Sequence, residues 1–298
     1  MKRESILILL ILLLVCLAVY SGYQLFAEWQ EYTAGEQFYD DLSQLVQMDT
    51  TKVTIPTEEA TVPPTEATEP TEKEINTTPT EIEAPALEET TEPETTEPET
   101  TELTETEEEP IVWPGVDFES LQEINSDVVA WIYIPGTNIN YPVVCGSDND
   151  YYLYRLIDGS YNKAGSIFMD YRNDENLSDD NTVLYGHNMQ NKSMFAHITK
   201  YTDQSFYDKH PRGMLMTPDG NYWVEFFSGY VTDVYDSSWD LRFSSDSKFS
   251  AWLRQIATRS YFSAMVFPTA GDRILTLSTC TFDYDNARFV LHGVLRPV

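Results

Sequence analysis

The sequence predicts a mostly β domain with peripheral helices, preceded by an apolar N-terminal segment and a long acidic linker. Residues 111–298 alternate short apolar runs with turn-forming residues, which is the pattern of strands joined by short loops. Residues 49–110 are dominated by Thr, Glu and Pro and contain neither an aromatic residue nor a glycine. Residues 6–26 carry no charge and have about the length of a membrane-spanning helix.

The N-terminal segment has the features of an uncleaved signal anchor. Lys2 and Arg3 precede the apolar run, and Tyr23 and Phe26 stand near its end, where aromatic side chains favour the membrane interface. Since no small-x-small cleavage site clearly follows, we predict a transmembrane helix over residues 1–26, with a cleaved signal peptide as the alternative. The positive charges favour the cytoplasm, which predicts a single-pass membrane protein with an extracellular C-terminal domain.

Residues 27–48 and 49–110 differ in composition. The first range has the apolar spacing of a juxtamembrane helix, interrupted at Gly35. The second cannot bury enough apolar area to offset its ordering entropy, so it is predicted to be a disordered Thr/Glu/Pro-rich acidic linker. We expect an extended spacer that carries the domain away from the membrane, with a binding surface or a glycosylated segment as the alternative.

The net charge of −31 is distributed unevenly. Residues 1–110 hold 4 Lys and Arg against 26 Asp and Glu, whereas residues 111–298 hold 14 against 23. Neither part has a basic patch, which argues against nucleic acid as a partner. The four His and three Cys are scattered without metal-ligand spacing, so neither a metal nor another cofactor is expected.

Residues 111–298 are numerous enough for one globular domain with a substantial core. Apolar residues at helical spacing predict helices over residues 117–125 and 247–260. Short apolar runs between turn signals predict strands over residues 128–134, 140–144, 166–170, 182–186, 214–217, 223–231 and 274–280, with a further apolar run at 288–291.

A cysteine and an arginine flank the last predicted turn. Cys280 ends one strand, residues 283–286 form the turn, and Arg288 begins the next apolar run. If the two runs are antiparallel neighbours, both side chains can face one pocket, where a guanidinium favours the thiolate and can hold a developing oxyanion. His187 follows Gly186 at the end of another predicted strand and can supply the proton that a leaving amine needs. This set indicates a thiol enzyme.

Five segments of the domain together carry a family resemblance. They are TLSTC (276–280), YGHNM (185–189), PGTNINYPVV (135–144), AGSIFMDYRN (164–173) and NARFVLHG (286–293). The first matches the TLxTC cysteine motif of the sortases, the cysteine transpeptidases of Gram-positive bacteria, and the others look like class B of that family. The resemblance covers roughly residues 111–298 and implies a closed eight-stranded β-barrel with peripheral helices.

The resemblance implies roles for particular residues. Cys280 is the expected nucleophile, His187 the acid and base, and Arg288 the residue that stabilises the transition state. Three further residues are candidates for substrate binding: Ser278 and Thr281, which flank the nucleophile, and Asn149.

The reaction and the partners are also implied by the resemblance. A sorting signal near the C-terminus of a surface protein is expected to be cleaved after Thr, and its acyl group passed to an amine of the peptidoglycan precursor, lipid II. A pilin lysine is the alternative acceptor. Hydrolysis of wall peptides by the same Cys and His pair is the alternative reaction, and a binding module without catalysis is the non-enzyme alternative.

The remaining Cys and His residues of the domain have less specific interpretations. Cys145 departs from the family pattern, and an extracellular location would permit a disulfide with Cys280 that silences the nucleophile. His197 and His210 are expected to have surface or packing roles. His292 lies in the last strand, directly after the apolar run at 288–291, and we expect a structural role for it, with an approach to the catalytic site as the alternative.

Overall fold

The computed structural model describes residues 3–48 and 113–298, and the predicted linker at 49–110 lies outside the described residues. The helices are α1 (Arg3–Ser43), α2 (Phe118–Ile124), α3 (Gln204–Lys209) and α4 (Asp246–Thr258), with 3-10 helices η1 (Tyr151–Tyr154), η2 (Phe195–Thr202) and η3 (Ser237–Trp239). The strands are β1 (Val46–Met48), β2 (Pro114–Val116), β3 (Val128–Tyr133), β4 (Asn140–Cys145), β5 (Ile167–Met169), β6 (Asn181–Tyr185), β7 (Arg212–Thr217), β8 (Gly220–Asp233), β9 (Arg273–Cys280) and β10 (Ala287–Pro297). α1 and the domain from Pro114 onward belong to one compact unit.

Eight of these strands form a closed barrel in the order β10-β8-β7-β3-β4-β5-β6-β9, and β9 closes it against β10. Neighbouring strands are antiparallel except for the pairs β4–β5 and β6–β9, which are parallel. β1 and β2 form a separate two-stranded sheet. The prediction of a mostly β, closed eight-stranded barrel with peripheral helices is confirmed.

The two predicted helices of the domain are α2 and α4. Asp117 caps α2, because its carboxylate accepts a hydrogen bond from the backbone N–H of Ser120 at 3.1 Å. The elements that the sequence did not predict are short: β1, β2, α3, η1 and η3. Elements of three to six residues offer few positions in which a period can show, although β5, which is equally short, was predicted from its apolar run.

α4 covers one side of the barrel with a single apolar face. Its buried residues are those predicted from the helical spacing, among them Trp252 and Ile256. They pack in one cluster with Phe227 and Tyr230 of β8 and Val290 of β10. Each such side chain gains about 1.5–3 kcal/mol from leaving water, so packing holds this helix on the barrel.

α1 differs from the expectation for residues 27–48. It runs without a break from Arg3 to Ser43 through Gly35, and the last residues of the range form β1. Gly35 is buried against Asn162 of the domain, so this glycine serves a close approach instead of ending the helix. The large apolar side chains between Leu7 and Phe26 are exposed, and α1 is long and apolar enough to cross a membrane.

We expect Ile256→Ala to lower the free energy of unfolding by about 2–5 kcal/mol, because the side chain is fully buried and its removal leaves a cavity. Arg254→Ala, on the exposed face of the same helix, is the matched control and should change it by no more than about 0.5 kcal/mol. Urea unfolding of the full chain in detergent, followed by Trp fluorescence, measures both. Equal losses would contradict the packing of α4.

Candidate active site

The parallel pairing of β6 with β9 brings two strand ends to one edge of the barrel. Tyr185 of β6 pairs with Ser278 of β9, and the backbone N–H of Gly186 donates to the carbonyl of Ser278 at 3.1 Å. His187 lies two residues after Tyr185, just past the end of β6. Cys280 lies two residues after Ser278, at the end of β9. Because parallel strands run in the same direction, His187 and Cys280 emerge side by side.

The antiparallel hairpin of β9 and β10 places Arg288 directly opposite Cys280. Residues opposed in this way have Cβ atoms about 4.5–5.5 Å apart and point to the same face. Arg288 Nη1 donates to the carbonyl of Ala287 at 3.0 Å. Cys280 therefore lies between an arginine on one neighbouring strand and a histidine beyond the end of the other.

The His187 ring is held from two sides. Its Nε2 lies 2.6 Å from the carbonyl oxygen of Leu153, and the Tyr154 ring packs against it with 5.6 Å between centroids. Because a carbonyl can only accept a hydrogen bond, Nε2 carries a hydrogen in both protonation states. The ring nitrogen that can exchange a proton with a substrate is therefore Nδ1.

Cys280, His187 and Arg288 all line one cavity of about 320 Å³. Of the three substrate-binding candidates, Ser278 and Asn149 also line it. The cavity is completed by Leu153, Phe168, Arg172, Tyr185, Gly186, Val234, Trp239 and Thr279. Its wall thus combines apolar and aromatic side chains with a few polar groups, which is the usual composition of a ligand site.

Thr281, the third candidate, is not among the residues that line this cavity. Its hydroxyl donates to the carboxylate of Asp283, and its backbone N–H donates to the carbonyl of Ala287 at 3.2 Å. Thr281 therefore belongs to the tight turn between β9 and β10, in which Asn286 has a left-handed φ of 64°. Adjacency to Cys280 in sequence does not bring the Thr281 side chain into the cavity.

Ser278 and Asn149 are each fixed by the surrounding fold. Ser278 is 2% exposed, and its hydroxyl accepts a hydrogen bond from Trp239 Nε1 at 3.4 Å. Asn149 Oδ1 accepts one from the backbone N–H of Tyr171 at 3.1 Å. The carboxamide oxygen of Asn149 is thus engaged by the protein, and its N–H groups are what it can offer to a ligand.

Arg172 is a second cation of the cavity, and the sequence analysis did not single it out. Its Nε and Nη2 donate to the two oxygens of Asp170 at 2.8 and 2.7 Å, and the Tyr185 hydroxyl donates to Asp170 at 3.0 Å. Burial raises the pKa of Asp170, but the hydrogen bonds from Arg172 and Tyr185 outweigh it and hold that pKa below its usual value. The available signal was a charged pair directly after the apolar strand β5.

Asn188 is another residue that sequence reasoning missed. Its Nδ2 donates to the carbonyl of Cys280 at 2.9 Å, and the Thr279 hydroxyl donates to the carbonyl of Gly186 at 2.7 Å. These two hydrogen bonds cross between the ends of β6 and β9. They fix the loop that carries the histidine to the strand that carries the cysteine.

The other Cys and His residues of the barrel lie in the core or in packed loops. Cys145 and Cys280 are both free thiols, so the disulfide alternative is not adopted. Cys145 is buried, and burial followed by nearby carboxylates raises its pKa to about 11. His292 is fully buried between the Thr276 hydroxyl at 2.8 Å and the Tyr230 hydroxyl at 3.1 Å, so it has the structural role expected for it.

His197 and His210 also hold neighbouring segments together. His197 Nδ1 accepts a hydrogen bond from the backbone N–H of Asn138 at 3.1 Å, and His210 Nδ1 lies 2.9 Å from the carbonyl of Pro135. Within residues 3–48 and 113–298, no group of three or more His, Cys, Asp or Glu is arranged to hold a metal ion.

Comparison with known proteins agrees with this geometry. The Sortase domain family matches residues 132–296, which is more than half of the chain. The chain belongs to the sortase family. Sortase B of Listeria monocytogenes serovar 1/2a is 39% identical to it over 181 residues, covering 60% of this chain and 74% of that protein.

Solved structures point to the same class. A Staphylococcus aureus sortase B–substrate complex superposes with a TM-score of 0.58 and 37% identity, covering 61% of this chain and 85% of that chain. A sortase B complexed with triglycine superposes with the same TM-score and identity, covering 61% of this chain and 86% of that chain. This sortase is therefore class B-like, as the sequence motifs indicated, and its family function is that of a transpeptidase.

The stability of this sortase should fall as the pH falls from about 6.5. Burial, with Arg259 nearby, lowers the pKa of His292 to about 3. Between these two pH values the unfolded chain binds a proton that the folded chain excludes. Each unit by which the pH falls therefore lowers the free energy of unfolding by about 1.4 kcal/mol. In the His292→Gln variant, the free energy of unfolding, measured with urea, should fall less steeply between pH 6.5 and 5. Carboxylates stay ionised in this pH range.

The stability of the His292→Gln variant should still fall somewhat as the pH falls, because burial also lowers the pKa of His197. Parallel pH profiles for the wild type and His292→Gln would show that His292 is not excluded from protonation in the folded state.

Proposed function

We propose that this sortase is a membrane-anchored, extracellular cysteine transpeptidase. It cleaves a sorting signal near the C-terminus of surface proteins after Thr and transfers the acyl group to an amine of the cell wall precursor. The observation that carries the proposal is the placement of Cys280 between His187 and Arg288, with all three lining one cavity.

Acylation is the first half of the proposed reaction. The Cys280 thiolate attacks the carbonyl carbon of the scissile peptide bond, and the carbonyl oxygen becomes an oxyanion. Arg288, opposite Cys280, supplies fixed donors that stabilise this charge. The C–N bond then breaks, and the imidazolium of His187 gives its Nδ1 proton to the departing amine. The products are a thioester on Cys280 and a neutral His187.

Aminolysis completes the cycle. The acceptor amine attacks the thioester carbonyl, and His187 takes the proton that this nitrogen loses. The C–S bond breaks, the Cys280 thiolate is restored, and an amide bond is formed. The contact of Nε2 with the Leu153 carbonyl keeps the ring in one orientation through both steps, since Nε2 donates whichever charge the ring carries.

The cavity wall supports a peptide as the acyl donor. Leu153 and Phe168 present apolar surface, while Ser278 and Asn149 present polar groups close to the nucleophile. The relatives crystallised with a substrate and with triglycine support a peptide donor and an amine acceptor for this chain. Thr281 is better assigned to the turn than to substrate binding, because its hydroxyl binds Asp283.

Anchoring rests on α1. It has one stretch long and apolar enough to cross a bilayer, and its large apolar side chains are exposed. Lys2 and Arg3 precede this stretch, and positive charge is retained on the cytoplasmic side. The barrel that follows is then extracellular, where surface proteins and wall precursors are available.

Intact-mass analysis tests the chemistry directly. The detergent-solubilised full chain is incubated with a panel of Thr-containing sorting peptides and triglycine, in parallel with Cys280→Ala. We expect a thioester adduct on the chain and a triglycine-ligated peptide, both absent with Cys280→Ala. Hydrolysed peptide alone with abundant triglycine would favour a peptidase, and intact peptides throughout a broad panel would overturn the catalytic proposal.

The Arg288→Lys variant tests whether the positive charge of Arg288 is sufficient or its planar guanidinium is needed. Lysine keeps the positive charge but loses the planar, multiple donors, so kcat should fall about 10²–10³-fold with a smaller change in KM. Arg273→Lys is the matched control, because Arg273 lies at the opposite end of β9 and donates to the Leu177 carbonyl at 3.1 Å. Steady-state kinetics on the ligated peptide measures both variants. A wild-type kcat for Arg288→Lys would remove Arg288 from its proposed role.

A further inference from the structure

The last turns of α1 pack on the barrel. Tyr39 is 5% exposed, and its hydroxyl donates to the carbonyl of Gly165 at 2.6 Å and lies 3.1 Å from the Ser166 hydroxyl. Its ring meets the Tyr141 ring of β4 edge-on, with 5.3 Å between centroids. A buried hydroxyl with partners on the domain and an aromatic contact form a specific interface.

One helical turn earlier, Gly35 brings the α1 backbone against Asn162. A Cβ at this position would lie 3.0 Å from Asn162 Oδ1. Asn162 is 4% exposed, and its Nδ2 donates to the carbonyl of Glu31 at 3.0 Å. The backbone N–H of Lys163 donates to the Glu31 carboxylate at 3.0 Å, and its ammonium lies 3.1 Å from Glu28. The contacts therefore continue along the helix to Glu28.

The strands that flank the acidic linker, β1 before it and β2 after it, pair with each other. β1 follows α1 directly and pairs antiparallel with β2, with Met48 opposite Pro114. The backbone N–H of Asp117 also donates to the carbonyl of Leu45 at 3.2 Å. The chain thus leaves this small sheet after Met48 and returns to it at Pro114, so the residues between cannot set the distance between α1 and the barrel.

We infer that the juxtamembrane half of α1 is a docking element that holds the catalytic barrel at the base of its own anchor. The distance between the barrel and the membrane is then set by α1, and not by residues 49–110, whose composition predicts a spacer. Contacts begin at Glu28, two residues after the apolar run ends at Phe26. Resting on the anchoring proposed above, and at about 1.5 Å of rise per residue, this places the Lys163 contact with Glu28 about 3 Å beyond the end of the apolar run and the Asn162 contact with Glu31 about 7.5 Å beyond it.

The consequence concerns where the enzyme can work. A barrel on a long stalk would reach into the wall, whereas a docked barrel keeps its cavity at a fixed height above the membrane. Both the acyl donor and the acceptor amine must then come to the membrane surface. The substrates of a docked enzyme are membrane-attached or newly exported molecules.

The test is a distance measurement in the full chain. Cys16, Cys145 and Cys280 are replaced by Ala, and spin labels are attached through Gln37→Cys on α1 and Lys209→Cys on the barrel, both at exposed positions. Pulsed dipolar spectroscopy is recorded in detergent, with the natural linker and with residues 56–105 deleted. Docking predicts one narrow distance that the deletion does not change. A broad distribution that shortens with the linker would overturn it.

A pair of glutamine variants tests the interface itself. Gly35→Gln drives a side chain into Asn162, so the narrow distance should be lost. Ala34→Gln, one residue earlier on the exposed face, is the matched control and should keep it. Tyr39→Ala provides a second disruption. Unchanged distances in both Gly35→Gln and Tyr39→Ala would overturn docking through this face. Since the labelled chain lacks Cys280 and is studied in detergent, neither failed catalysis nor failed membrane insertion can produce that result.

Discussion

The hydrogen-bonded position of β9 between β6 and β10 is the constraint on which the catalytic geometry depends. The parallel neighbour brings His187 to one side of Cys280, and the antiparallel neighbour brings Arg288 to the other. Since successive residues of a strand face opposite sides, a slip of one residue would turn Cys280 away from the cavity and disrupt the core. The arrangement of Cys280, His187 and Arg288 therefore depends on the register of β9 more than on any single contact of Cys280.

Buried polar groups deep in the barrel specify that register. The Thr276 hydroxyl donates to Asn181 Oδ1 at 2.7 Å and lies 2.8 Å from His292 Nδ1, which joins β6, β9 and β10 at one level. Asn181 also donates to the carbonyl of Asp240 at 3.0 Å, next to Trp239 of the cavity wall. In any slipped register these buried groups would lose their partners, at about 1–3 kcal/mol each.

What the sequence could predict follows from how local each signal is. Alternation predicted β9 and the run into β10, and the strand ends suggested that Cys280 and Arg288 share a pocket. The parallel partner of β9 is β6, about ninety residues earlier, and no local period encodes that pairing, so the closed barrel came from the resemblance alone. Thr281 is a substrate-binding candidate only by its position next to Cys280, whereas in the structure its hydroxyl donates to Asp283 in the turn.

Gly35 in α1 is a second case in which the local sequence does not reveal a contact with a distant residue. In isolation a glycine weakens a helix by about 1 kcal/mol relative to alanine, and the sequence gives no sign of Asn162, its distant partner. The two side-chain ion pairs of Lys163 are partly exposed and add little, so the hydrogen bonds made by the buried side chains of Tyr39 and Asn162 decide whether α1 stays docked. Closing a loop of some sixty residues costs only about 4 kcal/mol, since this cost grows with the logarithm of length. Two hydrogen bonds from buried side chains, a buried aromatic ring and the β1–β2 pairing are together of that size, so a long acidic linker and a docked barrel are compatible in one chain.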